Sequence, residues 1–470
     1  MMLNRRTLMS AGAAGFAFSG LARHGSAQAT RATETYVNEV TGYGPLKRDP
    51  NGLLDLPDGF SYQVISQGGD TMDDGLYVPG QFDGMGCFAL GGSQVALVRN
   101  HELRGTSAAH RNWGPGGYKG ERLDRLDAAG AYDTFRDGRP LPGGTTTVVY
   151  DLETRRTVRQ HLSLAGTSTN CAGGATPWGS WLTCEETEET PATADVSRPH
   201  GFVFEVPASA TGLVAPVPLV AMGRFSHEAV CIDPRTGIVY LTEDQGDGLL
   251  YRFLPETPGQ LVKGGRLQAM GFRDAPGSDS SNHNGRLWSV GDWREVVWLD
   301  LEEVEAPEAD LRKRGHASGA TLIARGEGIH WGDGELYLTA TSGGPIERGQ
   351  VMRYVPSPDE GRPEETRSPG RIQLFVESAD ERALNMADNL TVAPWGHLIL
   401  CEDNYSAEKR NHLKGVTPDG RVYTLGRNVF TGNSELAGAV FSPDGQVLFV
   451  NLQYPGLTLA IRGPWSAFAV

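Results

Sequence analysis

A chain of 470 residues with 62 glycines and 28 prolines is long enough for a large core and too rich in helix breakers to be mainly helical. Acidic residues outnumber basic ones by 57 to 42, a formal net charge of −15 that argues against nucleic acid as a partner. No run of about 18 apolar residues follows the N-terminus, so no membrane-spanning segment is expected.

The chain opens MMLNRRTLMSAGAAGFAFSGLARHGSAQA. Arg5-Arg6 and Thr7-Leu8-Met9 precede a mildly apolar segment that ends at Ala27-Gln28-Ala29, an A-x-A cleavage pattern. An ordinary Sec signal is the alternative, but the arginine pair favours residues 1–29 as a twin-arginine signal peptide. The Tat translocase is then a partner during export, and the mature chain, a single domain over 30–470, is periplasmic or secreted. The leader takes three arginines with it, which leaves the mature chain at −18.

Six segments with a common plan follow in chain order: DGMGCFALGGSQVALVRNHE from Asp83, NCAGGATPWGSWLTCEE from Asn170, RFSHEAVCIDPRTGIVYLTED from Arg224, EGIHWGDGELYLTATS from Glu327, DNLTVAPWGHLILCEDN from Asp388 and ELAGAVFSPDGQVLFVN from Glu435. Each has a polar start, a short strand, a Gly-bearing turn, a second apolar strand and a polar end. Six such units predict an all-β fold, a six-bladed β-propeller. Their uneven spacing predicts inter-blade insertions, with Arg104–Gly143 and Pro255–Val297 as candidates. A two-sheet sandwich is the alternative architecture.

A hairpin brings its first and last residues to the same end. If these hairpins line a central channel, Glu228, Glu243 and Asp244 share one mouth with Asn100, Glu102, Glu185, Glu186, Glu327, Asp388, Asp403 and Glu435. So many carboxylates cannot stay ionised together without cations. Oxygen ligands suit Ca²⁺ above all. His101 and His227 adjoin acids, but without a third clustered histidine a zinc site is poorly supported.

The five cysteines form neither a disulfide framework nor a zinc ribbon. Cys184, Cys231 and Cys401 sit in apolar runs and read as buried thiols. Cys171, after Asn170 in a Gly-rich stretch read as a loop, would as a thiolate suit a transition metal.

The blocks NCAGGATPWGSWLTCEE, RFSHEAV, ARGEGIHW and FSPDGQVLFVNLQYPG resemble the signature blocks of PhoX-type alkaline phosphatases, and the likeness extends over roughly residues 38–464. The resemblance implies a Tat-exported, six-bladed propeller carrying two Fe³⁺ ions bridged by an oxo group, with up to three Ca²⁺ ions at the channel mouth. It also implies that Cys171 binds iron and that Glu228 and Glu327 belong to the metal cluster. Glu185 and Glu186 match the family's paired acids, and Asn100 with Glu102 its first-blade ligands. Arg325 matches the catalytic arginine on the phosphoryl group. Asp388 and Glu435 join the ligand set by repeat position. A substrate-contacting lysine expected after RGEG has no counterpart: TATSGGPIERGQ offers Ser342 or Arg348 instead.

A phosphomonoester dianion, as carried by small phosphorylated metabolites, would be repelled by this acidic chain unless metals invert the local sign. Metals can also hold an oxygen nucleophile near neutral pH, and Arg325 can grip two phosphoryl oxygens. No Ser/His/Asp arrangement or G-x-S-x-G elbow supports a protein nucleophile. Two other classes stand beside this reading. A calcium-dependent lactonase or esterase would need neither Cys171 nor six repeats of ligands, and a non-catalytic, calcium-clamped binding propeller would not need Arg325.

Overall fold

The computed structural model describes residues 35–107, 109–117, 120–404, 410–431 and 434–470; the leader read at 1–29 lies outside them. All six predicted units form antiparallel hairpins. Their inner strands are Phe82–Gly91, Asn170–Ala175, His227–Ile232, Gly326–Trp331, Ala387–Val392 and Leu436–Phe441. Their return strands are Gln94–His101, Ser180–Glu185, Val239–Glu243, Leu336–Ala340, Leu398–Glu402 and Leu448–Leu452.

The turns explain the folding. Thr176-Pro177-Trp178-Gly179, Ala393-Pro394-Trp395-Gly396 and Ser442-Pro443-Asp444-Gly445 each place proline second and glycine fourth, and the glycine N–H closes onto the first carbonyl at 3.2, 2.8 and 2.8 Å. Proline presets the second position, and the glycines supply φ of 84 to 85° in the first two turns and 69° in the third. Return strands such as Val239–Glu243 and Leu398–Glu402 are buried along their whole length, because packing covers both faces.

The six inner strands stand side by side in chain order, and the last returns to touch the first. Apolar clusters fill the spaces between consecutive units: Phe204 with Val98, Leu182 with Val230, Tyr240 with Leu338, Val351 with Leu400, Cys401 with Leu448, and Phe449 with Leu97. The fold is therefore all-β and propeller-like, and it is not a sandwich. Among the described residues the hydrogen-bonded sheets number five rather than six. The third and fourth units merge into one nine-stranded sheet because Trp293–Asp300, the outer strand of the third, also pairs with Arg371–Glu377 of the fourth.

The N-terminus completes the last two sheets. Leu54–Pro57 pairs with Val422–Asn428, and Ser61–Gln67 pairs with Leu457–Arg462 as the outermost strand. The expected inter-blade position of one insertion is corrected. Arg104–Gly143 lies inside the first sheet, between its second and third strands, and rises from the mouth where Gln94–His101 ends. The segment Pro255–Val297 is partly strand, since it contains Gly265–Phe272.

Candidate metal centre

Every hairpin has a register shift near the start of its inner strand, where two residues face one. Such bulges re-aim a side chain. The first residues of five of these bulges are Asp83, Cys171, Glu228, Glu327 and Asp388. All five are buried. Cys171 accordingly lies in a strand, not in the expected loop.

In these five units the residue two positions earlier accepts a hydrogen bond from the N–H just past the return strand, Glu102 to Gln81, Glu186 to Thr169, Asp244 to Ser226, Thr341 to Arg325 and Asp403 to Met386, and in the sixth Gln453 donates likewise to Glu435. Four of these acceptors, Gln81, Thr169, Arg325 and Met386, sit at φ of 47 to 54°, a region costly for non-glycine residues and concentrated at functional sites. In the sixth unit Glu435 takes this place, the one Arg325 holds in the fourth.

These two rings of side chains meet at one mouth as four groups whose candidate ligand atoms lie within 4.8 Å of one another: Cys171, Glu186 and Glu228; Glu228, Glu327 and Asp388; Asp388, Asp403 and Glu435; and Asp83, Glu102 and Glu435. Shared members join the groups into one arc.

Burial and neighbouring acids both oppose ionisation. Asp83 and Glu102 are each raised to about 8 and Asp388 to about 7. Glu186, Glu228, Glu327 and Glu435 lie well above the usual carboxylate range for the same reasons. The Cys171 thiol is pushed up by burial and then by Asp83 and Glu228. Glu228 is fully buried, and neither carboxylate oxygen has a hydrogen-bond partner among the described residues. An acid so placed fits a cation, which would remove the cost of burying its charge.

Other sequence-predicted residues are turned away. Glu185 accepts from the N–H groups of Ser168, Gly201 and Phe202 at 2.9, 2.9 and 3.3 Å, and its Oε1 lies 2.7 Å from His200 Nδ1. Glu243 accepts from the Tyr251 hydroxyl at 2.7 Å and faces Arg312 at 3.8 Å. Asn100 spends its amide on Cys171 O, Ala172 O and Trp181 Nε1 at 3.0, 2.7 and 2.9 Å. Neither of the two acids belongs to a group. The histidines also turn elsewhere: His101 meets Gly80 O and Thr146, and His227 meets Gly223 O.

Arg325 reaches Asp244 through Nε at 2.8 Å and Nη2 at 3.0 Å, and Glu327 through Nη2 at 2.6 Å. Arg348 faces Glu381 at 3.5 Å, while the Ser342 carbonyl lies 2.7 Å from His283 Nε2.

Sequence reasoning left Asp83 and Gln453 out of the candidate ligands. Asp83 occupies the place of Glu228 in its own hairpin, so aligning the starts of the two units would have found it. Gln453 Nε2 lies among Asp83 at 3.2 Å, Glu102 at 2.8 Å and Glu435. It lies just past the end of the sixth segment.

An all-β, propeller-like ring with convergent acids and an arginine at one mouth defines a protein built for a polar ligand. Residues 41–456 match the family described as alkaline phosphatase PhoX, and the chain belongs to that family. It is a phosphatase, which displaces the lactonase and binding-protein readings.

Among solved structures it is similar to Pseudomonas fluorescens PhoX in complex with vanadate, a transition state analogue. The TM-score is 0.67 at 17% identity, over 93% of this chain and 99% of that one. At that identity the likeness concerns the fold. The periplasmic gluconolactonase PpgL of Pseudomonas aeruginosa is more distant, with TM-score 0.39 and 14% identity over 84% of this chain and 89% of that one. No curated protein matches the chain.

Proposed function

We propose that the chain is an exported phosphomonoesterase whose acid arc holds a mixed iron and calcium cluster. The carrying observation is Glu228, buried with both oxygens lacking hydrogen-bond partners among the described residues and common to two of the ligand groups. Cys171, Glu186 and Glu228 would hold one iron, because only this group offers a thiolate. Glu228, Glu327 and Asp388 would hold the second. The groups built on Asp83, Glu102, Asp388, Asp403 and Glu435 offer only oxygen and suit calcium, of which up to three ions are expected. Asn100 and Glu185 leave the ligand set, because their polar atoms serve the frame.

When bound, these cations would supply Lewis acidity toward phosphoryl oxygens and reverse the sign of an acidic mouth. The protein's own part is orientation. Asp244 and Glu327 engage the Arg325 guanidinium through Nε and Nη2 and hold it at the mouth, where its charge would meet the phosphoryl group of a small phosphorylated metabolite. The six packed hairpin units support reading the nine-stranded sheet as two joined blades, six in all. The Arg5-Arg6 leader supports export to the periplasm or beyond through the Tat translocase. Among the described residues no helix is long and apolar enough to cross a membrane.

The test is metal analysis of natively exported protein together with p-nitrophenyl phosphate hydrolysis. Iron, calcium and phosphate release are expected together. Hydrolysis by metal-stripped protein would overturn the cluster, and an iron-loaded protein without hydrolysis would overturn the substrate reading.

A further inference from the structure

The seams between hairpins carry their own hydrogen bonds. Thr242 Oγ1 donates to Glu327 O at 2.5 Å, and Thr339 Oγ1 donates to Asp388 O at 2.7 Å. Each hydroxyl stands on a return strand, and each acceptor is the carbonyl of the acid-bearing bulge residue in the next hairpin. Asn451 repeats the contact by donating to Asp83 O at 2.6 Å, and Asn100 does so toward Cys171 O at 3.0 Å.

The two threonines match in detail. Each also lies 3.3 Å from a carbonyl of its own hairpin's bulge, Ala229 O for Thr242 and Gly328 O for Thr339. A hydroxyl has one proton, and the shorter contact crosses the seam in both cases. Thr242 Oγ1 also accepts the Ala229 N–H at 3.1 Å. It therefore ties the backbone beside Glu228 to that of Glu327, and Thr339 joins the fourth bulge to that of Asp388.

We propose that Thr242 and Thr339 are positioning residues that set the spacing of Glu228, Glu327 and Asp388, and through it the affinity of that group for its cation. The three acids come from three different hairpins, so no single strand fixes their separation; these two bonds tie the acid-bearing bulge residues themselves, beside Arg325 to Asp244 at the first seam and Thr341 Oγ1 to Ala387 O at 2.7 Å at the second. The proposal rests on the metal reading above. The hydroxyls touch backbone alone and take no part in the ligand set.

The test is the double variant Thr242→Val/Thr339→Val, which keeps side-chain shape, beside Thr242→Ser/Thr339→Ser, which keeps the hydroxyls. Thr424→Val, whose hydroxyl serves Lys414 at 3.1 Å, is the control for loss of a buried hydroxyl elsewhere. Iron and calcium dissociation constants are read by competition with a chelator, and melting temperatures are read on stripped protein. Removing the outer-shell partner of a metal ligand typically weakens binding about 10–100-fold. That loss is expected for the valine pair, with the serine pair near wild type and the control unchanged in affinity.

Wild-type affinity in the valine pair would overturn the proposal, as would an equal loss in Thr424→Val or failure of serine to restore binding. A wild type that binds no metal overturns the cluster reading, and this proposal with it. Metal-bound wild type with unchanged variants overturns this proposal alone.

Discussion

Glu185 and Glu186 are neighbours in the chain and point in opposite directions: Glu185 lies 2.7 Å from His200 Nδ1 within the frame, while Glu186 joins Cys171 and Glu228 at the mouth. Successive side chains on a strand alternate faces, so a pair of acids at a strand end divides into one frame residue and one ring residue. Glu243-Asp244 and Glu402-Asp403 divide the same way, with Glu402 bonded to His412 Nδ1 at 2.7 Å.

Glu185→Gln should therefore be a stability variant. Burial alone would lower the His200 pKa, but the Glu185 charge and the hydrogen bond to Asp133 outweigh it and raise it to about 10. Removing one partner of a buried pair costs about 3–5 kcal/mol. The folded pKa lies above the unfolded value of about 6.5, so the contribution is fully present below that pH and lost as pH rises through about 10. Urea midpoints of wild type and variant should differ widely at neutral pH and converge in strong alkali. A constant difference at all pH values would refute the charged-histidine account.

Cys171→Ser should lose iron and its visible absorption while most calcium stays. A neutral hydroxyl would replace an anionic thiolate as ligand, and the fold should survive the near-isosteric change. Full iron content by elemental analysis would remove the cysteine from the ligand set.

Arg325→Lys should keep both metals and lower turnover by about 10²–10³, the cost of one lost donor to developing charge. An ammonium cannot reproduce two parallel hydrogen bonds. Unchanged kcat on p-nitrophenyl phosphate would release Arg325 from its assigned role.

Gly328→Ala tests the close approach of adjacent bulges. A Cβ there would stand 2.7 Å from both Asp388 O and Leu390 N, backbone atoms of the next inner strand. Overpacking of this kind costs about 1–3 kcal/mol, so the melting temperature should fall. An unchanged one would show that the seam has slack.

Replacing Arg5 and Arg6 together by lysine should strand the precursor in the cytoplasm. Secretion of that double variant through Sec, followed by immunoblotting of cell fractions, would refute the twin-arginine assignment.

The hairpins were legible because Pro and Gly at fixed turn positions and apolar return strands are local signals, as in Ala393-Pro394-Trp395-Gly396. The convergence of acids at one mouth followed from strand reversal alone. What stayed hidden depended on register. The bulge that turns Asp83 inward leaves no local mark in DGMG, and alternation along the strand turns Glu185 outward in CEE. The resemblance puts Asn100 with Glu102 among the first-blade ligands, while its return-strand position puts its amide on the Cys171 carbonyl across the seam. The joining of two units through Trp293–Asp300 requires pairing with a strand more than 70 residues away, which no local pattern announces.

The ring is closed by its two ends, Ser61–Gln67 lying against Leu457–Arg462, and the group of Asp83, Glu102 and Glu435 straddles the junction of first and last hairpins. Contacts this distant along the chain form late, after the entropy of a long loop has been overcome. A nascent chain still short of residue 435 lacks Glu435, and one short of 457 lacks the strand that holds the ring shut. On the proposed metal reading, the three ligands at this junction come together only once the circle has closed, so a cation bound there would report a finished chain.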